Sequence, residues 1–314
     1  MNLIAEQRSA QIKAKALELG FDDVGFVVAG PLEEEHRFLE NWLHSGFNGE
    51  MSYMNRNVDK RNDPSLLVDD ARSVVVVLQS YNPPPGETPA SPLKISRYAW
   101  GRDYHKVLKN RLRWLMKYIR EEVTPDAEGR FFVDSAPVSE RSLAARAGLG
   151  WIGKNTNLIH PRLGSFVFIG ELILNIELSP GERMQDACGN CARCLDACPT
   201  GALGSPYQLD ARKCISYLTI ENPHEIPAQQ ADQLNGWIFG CDTCQEVCPW
   251  NRKAPPHHEP DFHPRPELVR MSPKDWLSLD ETAFDDLSRG SPMRRSGYRG
   301  LLRNVKAVSG NLFG

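Results

Sequence analysis

No cysteine occurs in the first 180 of the 314 residues. That excludes a disulfide framework for more than half of the chain. Long apolar runs are missing as well. The longest unbroken one, Val74–Leu78, falls far short of the ~18 residues that a membrane-spanning helix needs. Between Phe166 and Leu178 the apolar character is interrupted by Glu171, Asn175 and Glu177. No charge of one sign dominates. The net charge is −3, so any nucleic-acid site has to be a local patch. The N-terminal MNLIAEQRSAQIKAKALELG carries charge throughout and has no apolar core, which predicts no targeting segment. These absences predict a cytoplasmic chain without a membrane anchor. There, clustered cysteines read as metal ligands before they read as disulfides.

What is present is an ordinary globular composition, 41% hydrophobic and 25% charged. The length predicts two domains and a small third. We expect them at 1–180, 181–260 and 261–314, with the first boundary near Pro180-Gly181. The first segment alternates helix and strand signals. Ile12, Ala16 and Leu19 share a helical face stopped by Gly20. Asp23–Val28 and the β-branched Ser73–Leu78 read as strands. Glu33–Ser45 reads as a helix, and Val107, Leu108, Leu112, Leu115, Met116 and Ile119 line one face of a longer one. Arg130–Asp134 reads as a strand ending in an acid, Ser139–Ala147 as a short helix, and Ser165–Leu178 as strand. The expected fold is α+β. It comprises an N-terminal α/β sandwich-type domain, a loop-rich metal-held module and a short helical C-terminal region, entered through a Pro-rich linker from His257 to Pro266.

All eight cysteines fall between Cys188 and Cys248. The first run is Cys188-x2-Cys191-x2-Cys194-x3-Cys198-Pro199. The second is Cys241-x2-Cys244-x3-Cys248-Pro249, with Cys214 upstream as its missing member. In the double [4Fe–4S] arrangement three thiolates of one tight loop hold one cubane, and the cysteine before proline reaches the other. The spacing thus assigns Cys188, Cys191, Cys194 and Cys248 to one cluster, and Cys198, Cys214, Cys241 and Cys244 to the second. No thiol is left over for catalysis. Structural zinc is the alternative for CxxC pairs. Two clusters in one small module form an electron wire, and the 180 residues before it are where the wire would deliver.

Four further segments stand around these motifs: Ser96-Arg97-Tyr98-Ala99 with Gly101-Arg102-Asp103-Tyr104-His105; Val133-Asp134-Ser135-Ala136-Pro137; Ala147-Gly148-Leu149-Gly150-Trp151-Ile152-Gly153-Lys154-Asn155; and Cys214-Ile215-Ser216-Tyr217-Leu218-Thr219. In this order the sequence resembles the epoxyqueuosine reductase family from about residue 10 to its end. The resemblance implies reduction of the epoxide of epoxyqueuosine to queuosine at the wobble position of tRNA. It implies cobalamin as cofactor, fed by the two clusters, and a ferredoxin-like fold for the cysteine module. It also implies a cobalamin whose own base is detached and whose metal carries no protein histidine. The sequence agrees on this point: an Asp-x-His-x-x-Gly lower-ligand motif begins at Asp103 but has Leu at 108. An external one-electron donor of flavodoxin or ferredoxin type and a monomeric state complete the expectation.

Asp134 is the candidate catalytic acid, because epoxide opening with loss of oxygen as water needs proton delivery. Beside an apolar corrin its pKa is expected to rise. From spacing alone it could equally be a turn carboxylate. The resemblance, which places a proton-donor aspartate in this segment, favours catalysis. Ser96, Arg97, Asp134, Ser135, Lys154, Asn155, Ser216 and Tyr217 are candidates for the cobalamin pocket. Plain turn or packing roles stay open for Lys154, Asn155, Ser216 and Tyr217. Arg141 could meet substrate phosphate or be solvated. From Arg289 to Lys306 there are six basic residues and no acid. Arg294, Arg295, Arg299 and Arg303 are candidates for tRNA phosphates, against the plainer reading of a solvated helix face. His257, His258 and His263 have no partner spacing for a metal. Two other functions remain: a reductive-dehalogenase-like reductase of small molecules, and a non-enzymatic ferredoxin-type carrier.

Overall fold

The structure, a computed structural model, describes residues 2–87, 89 and 91–312. Its strands are β1 (Asp23–Val28), β2 (Ser73–Ser80), β3 (Lys94–Ile95), β4 (Gly129–Phe132), β5 (Trp151–Ile152), β6 (Leu158–Ile159), β7 (Val167–Leu174) and β8 (Trp237–Phe239). The main sheet has the order β1-β2-β7-β4 and is antiparallel throughout. β2 is buried at every residue. Val75 and Val77 face one core, and Val74, Val76 and Leu78 face another. An unbroken β-branched run is therefore required, because helices cover both faces.

The first face is covered by the Leu3–Glu18 and Tyr104–Tyr118 helices, through Ile12, Ala16, Leu108, Leu112 and Leu115. The first of these begins at Asn2, whose side chain accepts from Ile4 and Ala5 N–H, and is followed by Gly20 at φ +93°. The opposite face is covered by the Glu140–Arg146 helix, through Leu143 and Ala144. Contact there is so close that a Cβ on Gly25 of β1 would lie 2.4 Å from the Ala147 carbonyl oxygen. Gly25→Ala is expected to destabilise the fold by about 1–3 kcal/mol, read as a lowered denaturant midpoint.

A third core joins three stretches of chain. Leu93, Ile95 and Trp100 pack with Ile215, Leu218, Trp237 and Phe239, and with Trp276, Phe284, Leu301 and Val305. The tail is helical, at Pro266–Arg270, Pro273–Leu277, Glu281–Ser288 and Gly297–Leu312. Its entry is not a free linker. His257 is buried, its N–H donates to the Asn82 carbonyl at 2.7 Å, and Glu259 pairs with Arg111. The fold is α+β with a helical C-terminal region. No described helix is long and apolar enough to cross a membrane.

Candidate functional site

β4 ends at Phe132, opposite Glu171 of β7. The strand expected to run to residue 134 therefore stops two residues early. Asp134 follows on a turn with φ +55°, a left-handed conformation that costs strain for a non-glycine residue but is tolerated best by Asp and Asn. The turn aims the carboxyl at the start of the Tyr104–Tyr118 helix. There the Tyr104 hydroxyl donates to Asp134 Oδ2 at 2.6 Å, and His105 Nε2 lies 3.3 Å from the same oxygen. His105 Nδ1 lies 2.7 Å from Asp103 Oδ1; the Asp103 side chain also caps this helix. The Asp134 backbone N–H donates to Glu140. The Asp134 side chain is 57% exposed, and surrounding protein also desolvates it. Arg141 combines an open surface with the same desolvation.

The electrostatics of the protein alone divide the carboxyls of the site. Burial does push the Asp134 carboxyl up, but hydrogen bonds from His105 and Tyr104 and the charges of His105 and Arg295 outweigh it and hold the group below the usual range. The elevated carboxyls are its neighbours. Burial first, then the charge of Asp134, raises Glu140 to about 8. Burial, with the charges of Glu140 and Asp134, raises Glu171 well above the usual range. His105 rises to about 9, because hydrogen bonds to Asp103 and Asp134 overcome its burial.

The two cysteine runs interleave. Burial raises the thiols of Cys188, Cys194, Cys214, Cys244 and Cys248, and that of Cys241 to about 12, and the added charges show which thiols lie near one another. Cys248 and Cys188 act on Cys194, and Cys188 and Cys191 act on Cys248. Cys198 acts on Cys214, Cys214 on Cys241, and Cys241 with Cys214 on Cys244, to which Cys194 of the first run adds a smaller contribution. Among the described residues no three His, Cys, Asp or Glu side chains converge as a single-ion site.

The second cysteine group lies close to the Asp134 cleft. The Tyr98 ring centroid is 6.0 Å from that of Phe239 in β8 and 6.3 Å from that of Tyr104. Asp242, beside Cys241, is fully buried. Ser96 is also buried, and its hydroxyl donates to Asp242, so it has no donor free for a cofactor. The Arg97 N–H donates to Asp242 at 2.8 Å, and its guanidinium stacks on Phe166 and pairs with Glu246. These two residues anchor the Cys241 loop. Lys154 Nζ donates to the Cys191 carbonyl at 3.0 Å and to that of Gly189, while buried Asn155 donates to the Cys244 carbonyl at 3.4 Å. Their loop therefore touches both cysteine groups. Tyr217 is buried and its hydroxyl accepts from Glu50 N–H at 2.8 Å; Ser216 is half-buried. Ser135 is exposed and takes a hydrogen bond from Lys109 at 2.9 Å.

The basic tail divides. Arg303 is engaged by the carbonyls of Leu218, Asn222 and His224, so it fastens the tail to the segment after Cys214 rather than offering a charge to phosphate. Arg294 pairs with Asp285 at 3.2 Å. Arg295 is held by Glu221 at 3.0 Å, and its charge reaches Asp134 and Tyr53. Arg299 is exposed.

Residues 187–251 match the family model described as "4Fe-4S double cluster binding domain", and residues 61–135 that described as "Epoxyqueuosine reductase QueG, DUF1730". An epoxyqueuosine reductase of Cellulophaga algicola is 47% identical, with 96% of this chain and 97% of that protein covered. The chain belongs to the epoxyqueuosine reductase family. The Escherichia coli epoxyqueuosine reductase is 41% identical over 97% of this chain and 81% of its own. Two solved structures superpose closely, each covering 96% of this chain and 81% of theirs at 31% identity. One is an epoxyqueuosine reductase with an epoxyqueuosine-modified tRNA-Tyr stem loop, at a TM-score of 0.90. The other is the Bacillus subtilis epoxyqueuosine reductase with its Asp134 catalytic loop swung out of the active site, at 0.88. As a member of this family the chain is an oxidoreductase that carries the double [4Fe–4S] domain.

For an epoxyqueuosine reductase the sequence reading passed over several site residues. In the sequence Tyr104 and His105 stand in a segment of the family resemblance and at the start of an incomplete ligand motif, with no role of their own assigned. Glu140 lies in the first turn of the expected Ser139–Ala147 helix, where the sequence gives no sign of a role. Glu171 was noted only as an interruption of an apolar stretch, which is the one signal that could have flagged it: a carboxylate in the middle of a two-sided buried strand has no structural reason to be there.

Proposed function

We propose that this protein reduces the epoxide of epoxyqueuosine in tRNA to the alkene of queuosine, with Asp134 delivering a proton. The observation that carries the proposal is the Asp134 site itself. An exposed carboxyl on a strained turn is held by Tyr104 and His105 and linked through the rings of Tyr104, Tyr98 and Phe239 to the segment that carries Cys241. The tRNA complex of a relative with the same fold supports the substrate.

The clusters are assigned to Cys188, Cys191, Cys194 and Cys248, and to Cys198, Cys214, Cys241 and Cys244. The neighbour relations among the thiols support both sets. A cobalamin beside Asp134 would meet two exposed polar side chains, Ser135 and Arg141, as partners for corrin amides and phosphate, although Arg141 also donates to the Thr156 carbonyl. The one histidine beside it, His105, is committed between Asp103 and Asp134, which agrees with a cofactor that takes no protein imidazole. Bound there, cobalamin supplies a strongly reducing cobalt, and the clusters supply electrons one at a time.

The residues of the chain do the rest. Tyr104 and His105 fix the Asp134 carboxyl. In its protonated form Asp134 donates to the epoxide oxygen as the carbon–oxygen bond breaks. Arg295 and Arg299 offer charge to tRNA phosphates at the cleft. An external one-electron donor of flavodoxin or ferredoxin type, a monomeric state and a cytoplasmic location complete the reading.

The cofactor assignment is tested on the purified protein. After iron–sulfur reconstitution it is incubated with cobalamin and desalted. Retention of about one cobalamin per chain is expected, reduced in Arg141→Ala. A protein that carries both clusters and retains no cobalamin would contradict it.

A further inference from the structure

The Tyr104–Tyr118 helix carries more like charge than its stability favours. Its sequence, YHKVLKNRLRWLMKY, holds five lysines and arginines and no acid. The inner face is spent on the core, through Val107, Leu108, Leu112, Leu115 and Met116. Arg111 also turns inward, onto Glu259 and the Gly20 carbonyl. Lys106, Lys109, Arg113 and Lys117 recur at spacings of three and four, so they form one outward stripe. Lys106, Arg113 and Lys117 are exposed. Lys106 stands in the first turn, where the helix dipole disfavours a cation. Lys109 with Arg113, and Arg113 with Lys117, are like charges at i, i+4, which cost helix stability. Little offsets that cost. Asp103, the acid nearest Lys106 in sequence, is taken by His105. Arg113 meets the Asn110 amide oxygen at 3.3 Å, and Lys117 meets Glu121 at 3.7 Å with both groups open to solvent. Beside the stripe Trp114 is 52% exposed, with the Lys117 ammonium 5.3 Å from its ring centroid. Stability explains neither the like charges nor the exposed indole. The stripe begins at the site. The same helix brings Tyr104 and His105 to Asp134, and Lys109 donates to Ser135. From Lys106 to Lys117 it runs about 16 Å. It ends where Arg120 turns onto the Ala127 carbonyl and Glu121 and Glu122 follow.

We propose that this outward face is a track for the phosphate backbone of the substrate tRNA, leading away from Asp134, with Trp114 as a platform on which a base stacks. This inference rests on the epoxide-reduction reading. A nucleotide whose epoxide meets Asp134 is joined to neighbours on both sides, so their phosphates have to leave over the surface beside Asp134. The helix is a cationic part of that surface. In a chain of net charge −3 such an excess is local, and it places positive potential where the strand must pass. The occupant is RNA rather than an acidic protein for two reasons. The stripe starts at the residues that hold Asp134, where the nucleotide is required to be. Cations flanking an exposed indole also suit a strand that presents both phosphates and bases. The tail differs from the helix in this respect. Arg294 and Arg295 are paired with Asp285 and Glu221, and Arg303 is bound to carbonyls.

The experiment measures binding of epoxyqueuosine-containing tRNA, and of the same tRNA without the modification, by fluorescence anisotropy across a salt series. The protein carries its clusters and cobalamin throughout. A track variant combines Lys106→Gln, Arg113→Gln and Lys117→Gln. A control variant, Arg8→Gln with Arg37→Gln and Lys274→Gln, removes the same charge elsewhere. The track variant is expected to bind both RNAs about 100-fold more weakly at about 0.15 M salt, and its slope of log affinity against log salt falls by about 2 to 3. Its kcat at saturating tRNA stays at the wild-type value while KM rises. Its denaturant midpoint is unchanged or higher, because two like-charge pairs are gone; a structural stripe would give a lower midpoint. Trp114→Ala is expected to weaken binding about 10-fold with the salt slope unchanged, since stacking releases no counterions. Wild-type affinity and slope in the track variant would overturn the proposal. So would an equal loss in the control variant, which would reduce the effect to net charge. Binding is read without turnover. A lowered slope in the track variant, with no epoxide reduction by wild type, would therefore leave the track standing and remove the reaction.

Discussion

Asp134→Asn is expected to lower turnover on epoxyqueuosine-containing tRNA by about 100- to 10,000-fold while iron content, cobalamin content and tRNA affinity stay at wild-type values. The substitution is chosen for its backbone. Position 134 sits at φ +55°, and Asn adopts that conformation almost as readily as Asp. The amide also keeps an oxygen to accept from Tyr104, now at 2.6 Å from the carboxylate. What it loses is a titratable proton and the negative charge that holds His105 protonated. The variant therefore separates proton delivery from fold. Asp134→Ala adds backbone strain and an unpartnered Tyr104 hydroxyl, so a loss in that variant alone proves less. If Asp134→Asn turned over at the wild-type rate, Asp134 would be a turn residue and the acid would have to be sought elsewhere in the cleft.

The second large effect concerns the crossed cysteines. Cys198→Ala is expected to abolish the cluster of Cys214, Cys241 and Cys244, and to leave that of the adjacent Cys188, Cys191 and Cys194 in place. Cys248→Ala does the reverse, although Cys241 and Cys244 are its neighbours in sequence. Iron content falls from about eight per chain to about four in each, since each cubane holds four irons. The two variants are distinguished by the electron paramagnetic resonance of the surviving reduced cluster. The reason lies in the fold. Proline follows both Cys198 and Cys248 and turns each thiol away from its own loop, so that Cys248 packs against Cys188. Loss of the local cluster instead, in either variant, would show uncrossed ligation.

Much of this was legible in the sequence. The cysteine spacing carried the double-cluster domain, which the family match over residues 187–251 bears out, because three thiolates of one tight loop at that spacing suit a cubane. β1, β2 and the long Tyr104–Tyr118 helix were legible because two-sided burial and helical periodicity leave strong patterns. Asp134 was singled out, but not its conformation: the end of β4 depends on where its pairing with β7 stops, which is a long-range fact. The groups that act on the Asp134 carboxyl, Tyr104 with His105 and Arg295, arrive from two distant parts of the chain. Ser96 and Arg303 were assigned outward roles by composition, yet the fold turns both inward, onto Asp242 and onto the Leu218–His224 carbonyls. A charge run cannot show which of its members serve the protein itself. Glu171 was visible only as a flaw in an apolar strand, and it needed the buried face above it to become meaningful.

The central claim is the reaction, and an anaerobic conversion assay tests it most directly. The protein with both clusters and cobalamin is given a chemical reductant and epoxyqueuosine-containing tRNA, and the nucleosides are resolved by mass spectrometry. The account predicts loss of one oxygen mass from the modified nucleoside, dependent on cobalamin and suppressed in Asp134→Asn. Unchanged epoxyqueuosine, in a protein shown to carry both clusters and cobalamin, would contradict it.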